Sequence, residues 1–295
     1  QRFCKVLADE GLLTLAWPSE YGGADGDVWA QTVVREEMWA HHEPRGAQYM
    51  GLNWIGPAIM AFGTDAQKRR HLPPIAQGEV IWCQGFSEPD AGSDLANIAT
   101  RAVRDGDEWV VSGQKVWTSG ADESDWGILL ARTNPDAPKH KGITYFLVDM
   151  AAEGIDIRPL REITGEALFN EVFLDDVFVP DEMVVGTVDD GWRLARTTLA
   201  NERVAMAQGT ALGNPMEELL RTFAEREVDQ ADLDRLAELI TSAQVGSLLD
   251  QRIAQHLPDQ LRRQLLQPLP HRQRHRHRSG RAAAHLRALL SRRLR

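Results

Sequence analysis

Two short polar motifs, one on each side of an alternating hairpin pattern, constrain this chain more than any other feature. The first, CQGFSEPDAGSD, occupies residues 83–94; the second, GQKVWTSG, occupies residues 113–120. Between them, residues 100–111 form two alternating runs that meet at Asp105-Gly106, a pair suited to the tight turn of a β-hairpin. The pattern predicts a hairpin flanked by two polar, glycine-bearing strand ends. Both ends then converge on one edge of a small β-domain. There they present hydroxyls, backbone N–H groups and a large aromatic ring to one flat, polar ligand.

The flanking sequence divides by period. Residues 1–78 read as helical: Phe3, Val6, Leu7 and Glu10 open an amphipathic turn that stops at Gly11, residues 18–26 hold clustered breakers, and helical spacing returns over 28–41, 58–62 and 65–76. Residues 79–185 read as β, with short strands at 81–86, 98–104, 109–111, 126–131, 143–150, 155–160 and 171–178, the pattern of a compact barrel or sandwich. Residues 186–258 return to helix, over about 191–211 and 229–255. In the last of these Leu233, Leu236, Leu239, Ile240, Val245, Leu248 and Leu249 supply the apolar positions. Residues 259–295 form a separate basic tail.

That tail sets the charge balance. From 260 to 295 there are eleven Arg and no acid, against 22 basic and 43 acidic residues before it. An acidic body excludes a nucleic-acid-binding role, and the switch after Asp259 reads as an out-of-frame translation or a basic arm. No apolar run nears the roughly 18 residues that span a bilayer. Two cysteines, Cys4 and Cys83, form no metal or redox motif, and Cys83 reads as a small core residue. Neither His41-His42 nor the His271, His275, His277 group, interleaved with arginines, reads as a metal site. The chain opens on Gln with no signal-peptide pattern, and reads as a fragment without its native start.

The two motifs together resemble those of the acyl-CoA dehydrogenase family, S/T-E-P-x-A-G-S-D and G-Q-K-x-W-x-T/S. The resemblance extends to residues 12–23 (LLTLAWPSEYGG), 169–180 (FNEVFLDDVFVP) and 191–203 (GWRLARTTLANER). It covers residues 1–208 and, more loosely, reaches 255. It implies an α+β fold of N-terminal helices, a central small β-barrel and a C-terminal helical bundle, incomplete in this chain. It implies FAD as cofactor and an acyl-CoA thioester as substrate, desaturated between its α and β carbons. An electron-transferring flavoprotein is the implied acceptor, and the full-length parent is expected to form a homo- or hetero-oligomer in the bacterial cytoplasm or the mitochondrial matrix.

The resemblance also assigns residues. Trp117 and Ser119 match family positions beside the isoalloxazine ring. Gln84, Phe86 and Ser87 match the opposing strand, which bonds the pyrimidine end. Gly92 and Ser93 match a segment beside flavin or CoA phosphates; Asp90 stands where the family more often has Gly, in a turn expected to tolerate a left-handed backbone. Glu202 matches the Glu-Arg position that some branches use as the α-proton base, and Arg203 a position near the CoA moiety. On the helix from Gly191, Glu202 shares a face with Trp192, Ala195, Leu199 and Met206. Two other readings stay open: Glu202 as a structural ion-pair residue, with the base in a later loop that this chain lacks, and the whole chain as an oxidase or a non-catalytic subunit. Loss of the later helices is expected to leave Leu199, Val204, Leu236 and Leu248 short of burial partners.

Overall fold

The computed structural model describes residues 2–40, 46, 48–207, 215–225 and 229–255. The His groups and the basic tail lie outside them.

Helices come first: α1 (Arg2–Asp9), α2 (Val28–Ala40), α3 (Gln48–Met50), a π-helical turn (Gly51–Ile55), α4 (Gly56–Phe62) and α5 (Asp65–Ala76). The expected helix at 58–62 is therefore the end of a longer helical run that starts at Gln48. Pro57 sits in the first turn of α4, where its missing N–H costs nothing. Helix α5 opens on a reciprocal capping box: Gln67 N–H donates to Thr64 Oγ1 (3.2 Å), and Thr64 N–H donates to Gln67 Oε1 (2.9 Å). The same Gln67 amide donates to the carbonyls of Glu182 and Val184, at 2.8 and 2.9 Å. One side chain thus caps a helix and ties it to the sheet.

Eight strands follow: β1 (Trp82–Gly85), β2 (Arg101–Asp105), β3 (Glu108–Ser119), β4 (Trp126–Arg132), β5 (Ile143–Asp149), β6 (Ile155–Leu160), β7 (Phe169–Pro180) and β8 (Val184–Val185). Their order is β6-β7-β3-β2-β4-β5-β8, with β1 parallel to β4. The path narrows to one residue pair, Arg101 with Arg132, where β2 meets β4. The two halves fold over a shared core as an open barrel. The predicted hairpin is present, with Asp105 opposite Glu108 and Arg101 opposite Ser112.

Strands β4 and β5 are buried on both faces, one inside the barrel and the other beneath helices. That second layer includes α6 (Gly191–Ala207), whose Thr198 hydroxyl shares a 3.3 Å hydrogen bond with Tyr145 of β5. A continuous core joins Trp17, Ile59 and Leu72 of the helices to Trp82, Tyr145 and Phe146 of the strands and to Leu194 of α6. Two more helices complete the described chain, α7 (Pro215–Ala224) and α8 (Gln230–Gln255); α7 was not anticipated. Leu199 is partly buried against the core and Leu236 is buried, so neither lacks cover. The side chains of Val204 and Leu248 lie outside the described residues. Leu220, Leu233, Leu239 and Val245 do remain exposed on α7 and α8.

Candidate active site

Strand β3 is twelve residues long, not the three expected, because the second motif is itself strand. Inward alternation from Trp109 and Val111 passes through Gly113 to Lys115, all with Cβ positions on the core side. Gly113 is required by a close approach: a Cβ there would stand 2.5 Å from Thr100 Oγ1 and 2.7 Å from its Cα. Lys115 is fully buried, yet charged. Its Nζ lies 2.8 Å from Glu88 Oε1 and donates to the Phe86 carbonyl at 3.1 Å. Glu88 also accepts the N–H groups of Ala99 (2.5 Å) and Thr100 (3.0 Å).

This ion pair is the bolt between the two motifs, and the sequence reading passed over both residues. The signal was the alternation itself, which places position 115 inward. Burial pushes the Lys115 ammonium down to about 8, against the opposing pull of Glu88. Burial also raises the Glu88 carboxyl, but the charge and hydrogen bond of Lys115, with the donors at Thr100 and Ala99, outweigh it and hold Glu88 below the usual carboxylate range.

Just beyond Lys115 the β3–β7 ladder slips, with Lys115 opposite Val172 and then Thr118 opposite Asn170. The two bulged residues leave the ladder. Val116 N–H turns to the Ser87 carbonyl of the first motif at 2.9 Å. Trp117 adopts φ 57°, a left-handed backbone that costs a non-glycine residue about 1–3 kcal/mol. The bulge throws its indole outward, where it is 60% exposed and roughly perpendicular to the Phe169 ring, 5.7 Å between ring centres. A large aromatic ring held outward on a strained backbone offers an open face to a ligand.

The other assigned residues surround that face unequally. Ser87 and Ser119 are half-buried; Gly92 and Ser93 are exposed, and a Cβ on Gly92 would meet nothing within 4 Å. Asp90 sits in the Pro89-Asp90 turn closed by reciprocal Glu88–Ala91 backbone bonds. It is not among the residues with positive φ, so the expected left-handed conformation is absent. The Phe86 side chain is not at the surface: it is buried with its ring edge-on to Tyr145, and only its backbone faces the motifs. Cys83 is core, its thiol pushed up to about 12 by burial. The cavity inside the barrel is about 20 Å³, room for one water. Outside it, Trp117 is exposed and Ser119 and Ser87 are half-buried. That donor set and the free indole face fit an isoalloxazine ring.

Helix α6 brings the carboxylate. It begins against β5, with Asp190 bridged to Ile143, and a Cβ on Gly191 would lie 2.7 Å from the Thr144 carbonyl carbon. Its buried stripe is Leu194, Ala195, Thr198, Asn201 and Ala205. This is displaced from the expected Trp192–Ala195–Leu199 face, because the helix also packs on the helical run from Gln48, where Tyr49 Oη of α3 donates to the Ala205 carbonyl at 2.8 Å. The Met206 side chain lies outside the described residues. Glu202 therefore stands at the margin of the stripe, half-buried, and accepts a hydrogen bond from Gln84 Nε2 at 2.9 Å. Among the described residues Glu202 forms no ion pair. Arg203 beside it is exposed. No group of three or more His, Cys, Asp or Glu able to hold a metal occurs among the described residues.

Comparison with known proteins agrees with this architecture. Residues 1–79 match the acyl-CoA dehydrogenase N-terminal domain and residues 83–177 the acyl-CoA dehydrogenase middle domain. The chain is 60% identical over 250 residues to acyl-CoA dehydrogenase FadE34 of Mycobacterium tuberculosis, a match covering 85% of this chain but 35% of that protein. The chain thus spans about a third of that relative. The solved Tcur3481-Tcur3483 steroid ACAD superposes with a TM-score of 0.76 at 33% identity, covering 90% of this chain and 74% of that one. The ChsE4-ChsE5 complex from Mycobacterium tuberculosis superposes with a TM-score of 0.73 at 34% identity, covering 86% and 68%. Two motifs bolted by a buried ion pair, an outward indole and a helix-borne carboxylate thus sit on a shared framework: the chain belongs to the acyl-CoA dehydrogenase family.

Proposed function

We propose that this protein contributes the site for α,β-dehydrogenation of an acyl-CoA thioester, with Glu202 as the base. The observation that carries the reading is the Gln84–Glu202 hydrogen bond, which joins the α6 carboxylate to the strand that leads into the first motif. FAD, when bound, accepts the hydride equivalent from the β-carbon.

The chain's own residues do the rest. Trp117 and Ser119 on one side, and Ser87 on the other, hold the ring in place. Gly92 and Ser93 leave backbone room for phosphate oxygens. Glu202 removes the α-proton, a task suited to a carboxylate kept partly from water and free of a cationic partner. Arg203, exposed next to it, serves the CoA end.

The acyl group we assign is a bulky, steroid-derived one, supported by the steroid ACAD among the solved relatives. Electrons pass to an electron-transferring flavoprotein. The solved ChsE4-ChsE5 complex and Tcur3481-Tcur3483 steroid ACAD favour a hetero-oligomer, and the mycobacterial relative favours the bacterial cytoplasm over a mitochondrial matrix. No helix among the described residues is long and apolar enough to cross a membrane.

Anaerobic addition of a steroid-derived acyl-CoA to the flavin-loaded protein is expected to bleach the flavin and yield one enoyl-CoA per flavin. A flavin that stays oxidised with every acyl-CoA overturns the reading and leaves a non-catalytic subunit. Rapid peroxide formation in air assigns the electrons to oxygen instead.

A further inference from the structure

We infer that Gln84 is a positioning residue for Glu202, holding the carboxylate in one orientation and matching it in both protonation states. The inference rests on the reading of Glu202 as the base. The two side chains meet across 118 residues of sequence, one from the end of a short strand and one from the margin of a helix. A glutamate has three side-chain torsions, and ordering such a chain costs up to about 2 kcal/mol. Among the described residues of α6, no side chain bonds the Glu202 carboxylate. The Thr198 hydroxyl donates to Leu194 O at 3.0 Å, and Asn201 Nδ2 is buried without a partner. Among the described residues Gln84 is the one side chain recorded as a hydrogen-bond partner of the Glu202 carboxylate.

The chemistry of the partner matters. A lysine or arginine there would hold the carboxylate ionised and weaken it as a base. A neutral amide orients it with much less effect on basicity. An amide also carries both a donor and an acceptor. Nε2 serves the carboxylate, and Oε1 is buried with no partner. Once Glu202 has taken a proton from the α-carbon, its new O–H needs an acceptor. A half-turn of the amide presents Oε1 to it, so the clasp survives the transfer and no charge is left unmatched.

Other titratable groups are engaged elsewhere. From β5, Tyr145 bonds Thr198; from α3, Tyr49 bonds the Ala205 carbonyl; Arg203 on α6 is exposed, as are Arg235 and Glu238 on α8, which flank its buried Leu236.

The test compares Gln84→Met and Gln84→Glu with Glu202→Gln in the intact flavin-loaded protein. Gln84→Met is expected to slow flavin reduction roughly 10- to 100-fold, as loss of alignment does, with the acyl-CoA dissociation constant changed by no more than about twofold. Its acid limb moves to higher pH, because a donor to the charged form is lost, and Gln84→Glu moves it further. An independent readout is the pH-difference infrared band of the carboxyl that disappears in Glu202→Gln. That band titrates higher in Gln84→Met, with or without flavin. Wild-type rate and profile in Gln84→Met, beside an inactive Glu202→Gln, overturn the positioning role alone. Full activity in Glu202→Gln overturns the base reading and this inference with it. Should Gln84→Met fail to fold, an unshifted profile in Gln84→Glu overturns the inference equally.

Discussion

At Lys115 the chain buries an ammonium that carries both motifs, so its removal separates two effects. Lys115→Met keeps the length and loses the charge, leaving Glu88 buried without its counterion. Breaking a buried pair from one side costs about 3–5 kcal/mol, and urea unfolding at neutral pH is expected to show that loss. Lys115→Met with Glu88→Gln recovers part of it, since no charge is stranded. The pair also gives stability a pH signature. The folded Lys115 loses its proton near 8, whereas in the unfolded chain it keeps it to about 10.4. Between those values the unfolded state binds more protons, so this residue makes stability rise with pH there. Below that window the cost of burying the ammonium offsets part of what its bond to Glu88 contributes. Wild type is therefore expected to gain on Lys115→Met between pH 8 and 10; parallel curves would contradict the assignment. The alternating pattern made position 115 legible as inward, but not its charge state, which depends on Glu88 27 residues earlier. The motif singled out Trp117, while its outward aim comes from a bulge that depends on pairing with β7.

Helix α6 is the element on which the site turns, because it carries Glu202 and is seated on β5 at Gly191. A methyl there would stand 2.7 Å from the Thr144 carbonyl carbon, and the neighbour is backbone that cannot step aside. Gly191→Ala is expected to destabilise by about 1–3 kcal/mol, the cost of overpacking. It should also slow turnover by shifting Glu202 from Gln84, with melting temperature and flavin-reduction rate as the paired measurements. Helix α5 gives a milder case. Thr64→Ala removes the capping hydroxyl and is expected to cost about 1 kcal/mol with no change in site chemistry, read by thermal unfolding. The start of α5 was legible because its cap is local. Of the helical run from Gln48 to Phe62, only residues 58–62 were read as a helix. Its continuity comes from packing on α6, through contacts such as that from Tyr49 to Ala205, which lie 156 residues apart. For the same reason the face of α6 was read a step away from the one it buries. Strand β8, two residues long, is defined by its pairing with Tyr145 and Phe146, and no local pattern announces it.

Across the whole molecule the order of helices, strands and helices was plain in the changing periods of the sequence. The way the layers close on one another was not. Gln67 reaching Glu182 and Val184, and Gln84 reaching Glu202, are contacts between segments more than a hundred residues apart. They tie a helical layer, a barrel and a crossing helix into one framework. Glu202 is proposed as the group that takes the α-proton, and one comparison tests this most directly. Flavin-loaded wild type and Glu202→Gln are mixed anaerobically with the same acyl-CoA, and flavin bleaching is followed in a single turnover. Glu202→Gln is expected to retain its FAD and bind acyl-CoA but to bleach at least about 100-fold more slowly. Bleaching at the wild-type rate would contradict it and place the base elsewhere.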